Sequence, residues 1–407
     1  MCNKADNNLK LQASVIENSG SLTAGQQLSS NSESLLNTAT GQILASHVQL
    51  KATDRILNQG LINADRTELR TNTLTNQGAR IYGTDVTIQA NTLNNEADVT
   101  GKAAVLASRQ DMHLGVQQLN NKANVQDYDS RNIISSGRDL VIGGELNTQG
   151  QAIGEAAYIY NGSSLIEAQN DFFIYTKELL NRSENFDVVP MLSSSRHVYG
   201  YQDHSTGEII TLEDIASTRY RGRNNDILVL TLKDGREYEV FNRFEYDEKI
   251  FVPKVITNTP AQIISGHDLL IDASSKISND QSQILAGNIL HLENAQIDHN
   301  ERPSVETTIF ENAKKQYYKI IKKKRNKLGG HYEARGKDDL AYAPEPENKP
   351  VFIDEAENGS NKVIRYSTEA EQVQQAGKDL SGALSTDATA SQVQQRDTSV
   401  NLQKTEN

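Results

Sequence analysis

Two consecutive stretches decide the fold: residues 56–69 read ILNQGLINADRTEL, and residues 74–88 read LTNQGARIYGTDVTI. In both, an Asn is followed in order by a Gly, an aliphatic residue, a small residue and a pair of residues two positions apart. The order recurs at nearly constant intervals, and its anchoring asparagines are Asn18, Asn37, Asn58, Asn76 and Asn95. A fixed period of about 19 residues predicts a repeat architecture.

The apolar positions inside each unit alternate with polar ones, which places one row of side chains on a single face of a strand. Asn and Gly separate the strands, and both tolerate the left-handed backbone angles of tight turns. One unit cannot bury its apolar row alone, whereas copies stacked about 4.8 Å apart align the rows into one narrow core. The sequence therefore predicts an all-β fold, a parallel β-helix.

The anchoring asparagines suggest a second regularity. If the coils stack in register, Asn18, Asn37, Asn58, Asn76 and Asn95 lie above one another inside the turns. We predict that each side-chain amide bonds the next along the axis. The alternative is that Asn occurs there only because turns favour it.

The composition agrees with a narrow core. Apolar residues make up 36% of the 407-residue chain and tryptophan is absent, which suits an interior filled by rows of Leu, Ile, Val and Ala. The net charge of −12 argues against a nucleic-acid binder. A single cysteine excludes a disulfide scaffold, and no apolar run is long enough to span a membrane. The polar start, Met1–Asp6, does not resemble a secretion signal.

The repeat loosens after residue 100 and returns clearly at residues 261–287. Between them, residues 183–258 lack the Asn-Gly period and are rich in aromatic residues. Two strand-like segments, residues 227–232 and 236–241, flank Lys233-Asp234-Gly235, which predicts a hairpin with a two-residue turn around Asp-Gly. We expect an extra-helical insert of antiparallel strands. Its candidate binding residues are Tyr199, Tyr201, Tyr220, Tyr238, Phe241 and Tyr246. The alternative is that these aromatics form the insert's own small core.

The character of the chain changes again after Pro303. Residues 313–327 carry eight basic side chains and no acid, and residues 343–350 are rich in proline. We expect residues 303–407 to be a basic segment, an extended linker and a largely disordered tail. The candidate contacts to an anionic surface are Lys322, Lys323, Lys324 and Arg325. The alternative is a solvated cationic stretch. The β-helix is then expected over residues 9–182 and again over 259–302.

The repeat resembles the haemagglutinin repeats of the filamentous haemagglutinin family, most clearly in Ile277–Gly287 with the preceding Pro260–Gly266. These are large bacterial exoproteins exported by two-partner secretion, and they include contact-dependent growth inhibition proteins. The likeness covers residues 9–300. It implies a right-handed β-helical shaft, secreted or at the Gram-negative cell surface, with an adhesive or receptor-contacting role and, in some members, a C-terminal toxin.

Two parts of that family's pattern are not recognisable in this sequence, namely the amino-terminal secretion domain and a C-terminal toxin. We therefore expect an internal or truncated portion of a longer protein. The resemblance implies an outer-membrane transporter as the secretion partner of that full-length parent.

Catalytic motifs are not evident. The eight histidines show no metal-binding spacing, and neither a nucleophile elbow, a phosphate loop nor a dinucleotide fingerprint occurs. Cys2 has no visible partner histidine. The repeat Gly-Gly-x-Gly-x-Asp of a calcium-binding roll is absent. We expect no enzyme, no cofactor and no metal.

The enzymatic alternative is a β-helical polysaccharide lyase or hydrolase, which needs carboxylates that converge on one site. Asp65 and Asp85 are separated by close to one coil period. Because the equivalent positions of the preceding coils are Gly25 and Ser46, the sequence predicts no acidic cluster.

The predicted function is therefore that of a non-catalytic structural and binding segment of a filamentous adhesin. Its expected partner is a receptor or glycan on a target or host cell, and neither nucleic acid nor a membrane span is expected. The first alternative is the receptor-contacting stalk of a contact-dependent growth inhibition protein. The second is the polysaccharide lyase or hydrolase.

Overall fold

A computed structural model describes residues 2–123, 131–222, 225–300, 304–325, 330–355 and 361–365. The chain divides into two compact units. The β-helical unit comprises Met1–Asp187 and Val255–Arg302, and the antiparallel unit comprises Val188–Lys254 and Pro303–Arg365. Every regular element in the described ranges is a strand, so the predicted all-β class is confirmed. A membrane-spanning helix was not found in those ranges.

The strands before the insert all belong to the β-helical unit. They are β1 (Cys2–Ala5), β2 (Asn8–Gln12), β3 (Val15–Asn18), β4 (Ser21–Ala24), β5 (Gln27–Asn37), β6 (Gln42–Leu44), β7 (His47–Asn58), β8 (Leu61–Asn63), β9 (Arg66–Gln77), β10 (Arg80–Gly83), β11 (Asp85–Glu96), β12 (Val105–Ser108), β13 (Met112–Lys122), β14 (Ile133–Ser136), β15 (Leu140–Gly143), β16 (Glu145–Leu146), β17 (Ala152–Ile153), β18 (Ala156–Gly162), β19 (Leu165–Ala168) and β20 (Phe172–Arg182).

The remaining strands follow in chain order. They are β21 (Phe186–Asp203), β22 (Ile209–Ile210), β23 (Ile215–Arg221), β24 (Ile227–Leu232), β25 (Glu237–Tyr238), β26 (Phe241–Asn258), β27 (Gln262–Ser265), β28 (Leu269–Asp280), β29 (Gln283–Ala286), β30 (Leu290–Glu293), β31 (Gln296–Asn300), β32 (Ser304–Arg325), β33 (Gly330–Leu340), β34 (Glu347–Glu355) and β35 (Asn361–Arg365).

The β-helical unit is a stack of ten coils, each made of a short strand followed by a strand of the second sheet, which is longer in most coils and is divided in two in coils 1, 7 and 10. The short strands form one parallel sheet, β1-β4-β6-β8-β10-β12-β14-β19-β27-β29, and the longer strands form a second parallel sheet in the same chain order. We number the coils 1 to 10 by their short strands. This arrangement confirms the predicted parallel β-helix, while the right-handed winding implied by the family resemblance stays a prediction.

Rows of identical side-chain types run through the stack and form its core. In coils 2 to 10, one Leu or Ile of each short strand pairs in register with its equivalents in the neighbouring coils: Leu22, Ile43, Ile62, Ile81, Leu106, Ile134, Ile166, Ile263 and Ile284. All nine are buried. Burial of such a side chain contributes about 1.5–3 kcal/mol, so the regular spacing of the repeat translates directly into stability.

The predicted asparagine ladder is present and longer than expected. Each Nδ2 donates to the Oδ1 of the next asparagine at 2.8–2.9 Å, through Asn18, Asn37, Asn58, Asn76, Asn95, Asn121, Asn161, Asn181 and Asn279. The same nitrogen also donates to the first carbonyl of the short strand two coils further on; Asn76 of coil 4 reaches that of Val105 in coil 6 at 3.1 Å. All nine side chains are buried, so the ladder ties each coil to the next at one corner.

The chain leaves the β-helix after coil 8 and returns as coil 9 without interrupting the stack. Strands β19 and β20 pair directly with β27 and β28, and the Asn181–Asn279 bond joins residues 98 apart in sequence. At the base of the insert, Ser163 Oγ donates to the Thr259 carbonyl (2.7 Å) and accepts from the Glu184 N–H (2.8 Å). The predicted continuation of the axis is therefore confirmed.

The antiparallel unit contains two sheets. A seven-stranded sheet has the order β22-β21-β26-β32-β34-β35, with β33 also paired to β32, and a three-stranded sheet has the order β23-β24-β25. The antiparallel strands of the insert and the hairpin were thus predicted, but the loop of the hairpin is longer than the predicted two-residue turn. Leu232 N–H donates to the Arg236 carbonyl (2.8 Å), so the loop has three residues. Gly235, with φ of 89°, supplies the left-handed residue that such a loop requires.

Two predicted boundaries were wrong. The β-helix begins before residue 9, because β1 already pairs with β4. The segment 304–365 is not a linker and tail: β32 pairs with β26, β33 and β34. The physical reason is that the edge of β26 offers unpaired backbone groups, and β32 satisfies them. The predicted disordered tail from residue 366 onward lies outside the described residues.

The ladder yields a stability prediction. Asn76→Ala leaves one N–H of the Asn58 side chain and the Asn95 Oδ1 buried and without their partners. An unpaired buried group costs about 1–3 kcal/mol, so we expect a loss of about 2–5 kcal/mol in the free energy of unfolding, measured by urea denaturation. Asn72→Ala on the same strand is the matched control, because Asn72 is exposed. Equal losses in the two variants would contradict a stabilising ladder.

Candidate functional site

Part of the predicted aromatic set forms the core of the antiparallel unit. Phe241 is fully buried and clusters with Leu230 and Tyr318, while Tyr201 and Tyr238 pack against this cluster. The rings of Phe241 and Tyr318 stack with centroids 5.3 Å apart. The alternative interpretation, that the aromatics build a small core, therefore describes these residues.

Two members of the set are exposed instead. Tyr199 on β21 is 44% exposed and Tyr220 on β23 is 64% exposed. The guanidinium of Arg243 lies 5.8 Å from the centre of the Tyr199 ring. Beside Tyr220, Arg219 Nη2 pairs with Glu237 Oε2 at 2.8 Å, and Arg221 pairs with Glu239. Exposed rings rimmed by paired charges are typical of contact surfaces for partners.

Sequence reasoning missed a second aromatic group in the same unit. Phe244 stacks parallel to Tyr246 (centroids 6.2 Å) and is tilted against Tyr342 (6.0 Å), and Tyr246 meets Phe310 edge to face (5.1 Å). Burial raises the pKa of Tyr246 and of Tyr342. The alternation of Phe244 and Tyr246 could have indicated a shared face. Phe310 and Tyr342 could not be assigned, because they come from the segment predicted to be a tail.

Gly200 makes room for this group. A Cβ at Gly200 would lie 2.6 Å from Phe244 Cζ, so only glycine lets the ring cover the backbone of β21. On β32, which lies beyond β26 in the sheet, Tyr317 stacks on His204 with centroids 3.7 Å apart. The His204 Nδ1 also lies 2.9 Å from Asn242 Oδ1. Of the predicted binding residues, only Tyr246 belongs to this group.

The predicted anionic-surface contact lies on β32. Lys322 is exposed, with its Nζ 4.0 Å from Glu333 Oε1 of the paired strand β33, and Lys319 pairs with Asp338. Acids of β33 thus face part of the basic run. The side chains of Lys323, Lys324 and Arg325 lie outside the described residues, so this contact stays a prediction.

The β-helical unit holds an arrangement that the sequence did not reveal, which we name the aspartate column. Each member directly precedes the first core residue of a strand in the second parallel sheet. These core residues pair in register from coil to coil. The column consists of Asp85, Asp111, Asp139, Asp171 and Asp268. Each carboxylate accepts the backbone N–H of the equivalent residue in the next coil at 3.2–3.4 Å.

Most of these carboxylates also receive a hydrogen bond from a side chain of the next coil. Asn170 and Asn288 donate to Asp139 (2.7 Å) and Asp268 (2.6 Å). At the same position of their coils, Arg138 bonds Asp111 through Nε (2.6 Å) and Nη2, and His267 Nδ1 lies 2.7 Å from Asp171. The hydrogen bond from Arg138 lowers the pKa of Asp111. The hydrogen bond to Asp171 raises the pKa of His267.

The expectation that no acidic cluster builds up was therefore wrong. Asp65 and Asp85 are not equivalent, because Asp85 pairs with Arg66 in coil 4. Equivalent residues of coils 4 and 5 are one position closer in sequence than Asp65 and Asp85 are. The sequence comparison of these two aspartates was therefore one position out of register. Asp65 instead lines an open groove of about 550 Å³ with Ala24, Ala64 and Arg109. The column starts at Asp85 and continues toward coil 9.

One group in the column has the composition of a metal site. The ligand-type atoms of Asp171, His267 and Asp268 lie within 4.8 Å of one another. Sequence spacing could not reveal it, since Asp171 and His267 are 96 residues apart. The Nδ1 of His267 faces the Asp171 carboxylate in the way that Arg138 faces Asp111, which is the arrangement of a counterion.

No protein family model matches the chain, and neither a curated protein nor a solved structure matches it. The likeness to the filamentous haemagglutinin family therefore stays an expectation drawn from the repeat residues.

The aspartate column yields a pH prediction. Because Asp111 has a lowered pKa, it stabilises the fold above the unfolded value of 3.8, and that contribution is lost as the pH falls through the lower folded value. Arg138→Gln removes the cause. We expect the variant to have a lower free energy of urea unfolding than wild type at pH 6, with a smaller difference at pH 2.5.

Arg109→Gln is the matched control, because Arg109 is also an exposed arginine in a coil 6 turn. It should change the free energy of unfolding little at either pH. A wild-type advantage over Arg138→Gln that stays the same at pH 2.5 would show that the ion pair is not its source.

Proposed function

We propose that the chain is a non-catalytic structural and binding segment of a bacterial filamentous adhesin, secreted or at the cell surface as part of a longer protein. One observation carries the proposal: coils 8 and 9 bond directly across the insert. The antiparallel unit is thus an addition to a stack that is complete without it. Additions of this kind on rigid scaffolds are where binding tends to reside.

The β-helical unit has the properties of a support. Its backbone groups pair between coils along two parallel sheets, and the asparagine ladder repeats the connection from coil 1 to coil 9. Stability in such a stack is approximately a sum of contributions from neighbouring coils. A long support can therefore be built without a large globular core.

The antiparallel unit supplies the candidate contact surface. Tyr199 and Tyr220 are exposed there, together with Ile209 (52% exposed) and Leu212 (45% exposed). Tyrosine is among the residues that contribute most to binding energy at interfaces, because its ring buries a large area with few rotatable bonds. The expected partner is a receptor or glycan on a host or target cell. The proposal also implies an outer-membrane transporter for the full-length parent.

The proposal predicts a loss of cell binding in Tyr199→Ser/Tyr220→Ser. Labelled full chain would be added to cultured epithelial cells and to bacterial cells, and bound fluorescence measured by flow cytometry. Loss of two central tyrosines corresponds to at least about tenfold weaker binding. Tyr82→Ser is the control, since Tyr82 is a half-buried tyrosine of the β-helical unit.

The two cell types separate the adhesin from its first alternative. Specific binding to epithelial cells that depends on Tyr199 and Tyr220 supports an adhesin. Dependence seen only with bacterial cells would favour the stalk of a growth-inhibition protein instead. If the double variant bound both cell types as well as wild type does, the antiparallel unit would not be the binding surface.

A further inference from the structure

The joint between coils 8 and 9 is closed by a titratable side chain. His267 lies between two aspartates of the column: its Nδ1 is 2.7 Å from Asp171 Oδ1 in coil 8 and 3.6 Å from Asp268 Oδ2 in coil 9. The His267 side chain is 52% exposed, so it exchanges protons freely with the solvent. A protonated imidazole here places one positive charge between the two carboxylates, whereas a neutral one leaves two like charges facing each other across the joint.

The equivalent positions of the other coils show what this position requires. Coil 7 has Arg138, a permanent cation between Asp111 and Asp139. Coils 8 and 10 have Asn170 and Asn288, which are permanently neutral donors. His267 is the one member of this series that changes charge near neutral pH.

His267 lies at the joint where the chain re-enters the β-helix, so a change in its charge acts on the attachment of coils 9 and 10. Coil 9 is the first coil after the chain returns from the antiparallel unit, so its joint to coil 8 connects residues 96 apart. At the same corner, the N–H groups of Gly266 and Phe172 donate across the joint to Ala168 (2.9 Å) and Asp268 (2.8 Å). This corner holds coils 9 and 10 to the first eight together with the paired strands and the Asn181–Asn279 bond, so its strength contributes to how readily they separate.

We propose that His267 is a pH-sensitive clip that fastens coils 9 and 10 to the rest of the β-helix in mildly acidic surroundings and loosens them in alkaline ones. The charged groups that face it are Asp171 from coil 8 and Asp268 from coil 9; Asn288 from coil 10 is neutral. The inference rests on the fold alone and goes beyond the proposed function.

The direction follows from linkage. Its hydrogen bond to Asp171 and the nearby Asp268 raise the pKa of His267 above its ordinary value of 6.5. A group with a raised folded pKa stabilises the fold fully below the unfolded value and loses that contribution as the pH rises through the folded value. The clip is therefore closed at pH 5.5 and open at pH 8.5.

Amide hydrogen exchange of the full chain tests the clip. Exchange rates of Phe172 and Gly266 are divided by the intrinsic rates at each pH and compared with Arg80, whose N–H crosses the joint of coils 4 and 5 (3.0 Å). We expect the relative protection of Phe172 and Gly266 to fall at least fivefold between pH 5.5 and 8.5. Constant protection in wild type would overturn the proposal.

Two substitutions at the same position separate charge from packing. His267→Arg should keep the acidic level of protection at both pH values, and His267→Asn should show the alkaline level at both. A pH step that survives in His267→Asn would assign the effect to another group and overturn the proposal.

Arg138→His provides an independent arm if the variants of His267 do not fold. It should create a new pH step at the joint of coils 6 and 7, read from the amides of Met112 and Gly137, which donate across it to Asp139 and Ser108 (both 2.9 Å). Absence of a step there would show that a histidine within the column does not act as a clip.

Discussion

Register between neighbouring coils is the constraint on which the rest of the β-helical unit depends. A buried side-chain amide must find its partners or cost free energy, and the asparagine of each coil finds them only when it lies directly above its equivalent. The aliphatic rows are aligned by the same requirement. Coils of very different length obey it: 18 residues separate Asn58 from Asn76, and 40 separate Asn121 from Asn161. Extra residues between Asn121 and Asn161 include the antiparallel pair β16–β17, after which β18 resumes the register with β13.

This constraint also explains what the sequence could predict. The first coils have nearly constant length, so their period was visible, and it predicted the parallel β-helix, its core rows and the first five rungs of the ladder. Asn121, Asn161, Asn181 and Asn279 fulfil the same role at spacings that hide them. The aspartate column was missed for a related reason, because four of its five members lie in coils whose lengths vary and the first was compared one position out of register.

The antiparallel unit was less predictable because pairing between distant strands is decided by the tertiary structure. The sequence indicated antiparallel strands and the hairpin at Gly235. It did not indicate that β32 would pair with β26, since a run of lysines is typical of a solvated segment. The alternation of that strand is informative only in retrospect: Tyr318 is buried in the core, whereas the next residue, Lys319, pairs with Asp338 of β33. The distribution of aromatic residues between core and surface likewise depends on partners that come from a segment predicted to be a tail.

The ladder and the sheets share one direction, since their bonds connect each coil with the next along the stack. A mechanical load that pulls the two ends of the β-helical unit apart would thus act on the joints in series, and every joint would carry the full force. Extension would begin at the weakest joint and release one coil at a time. Resistance to stretching is then set by a single interface and does not grow with the number of coils.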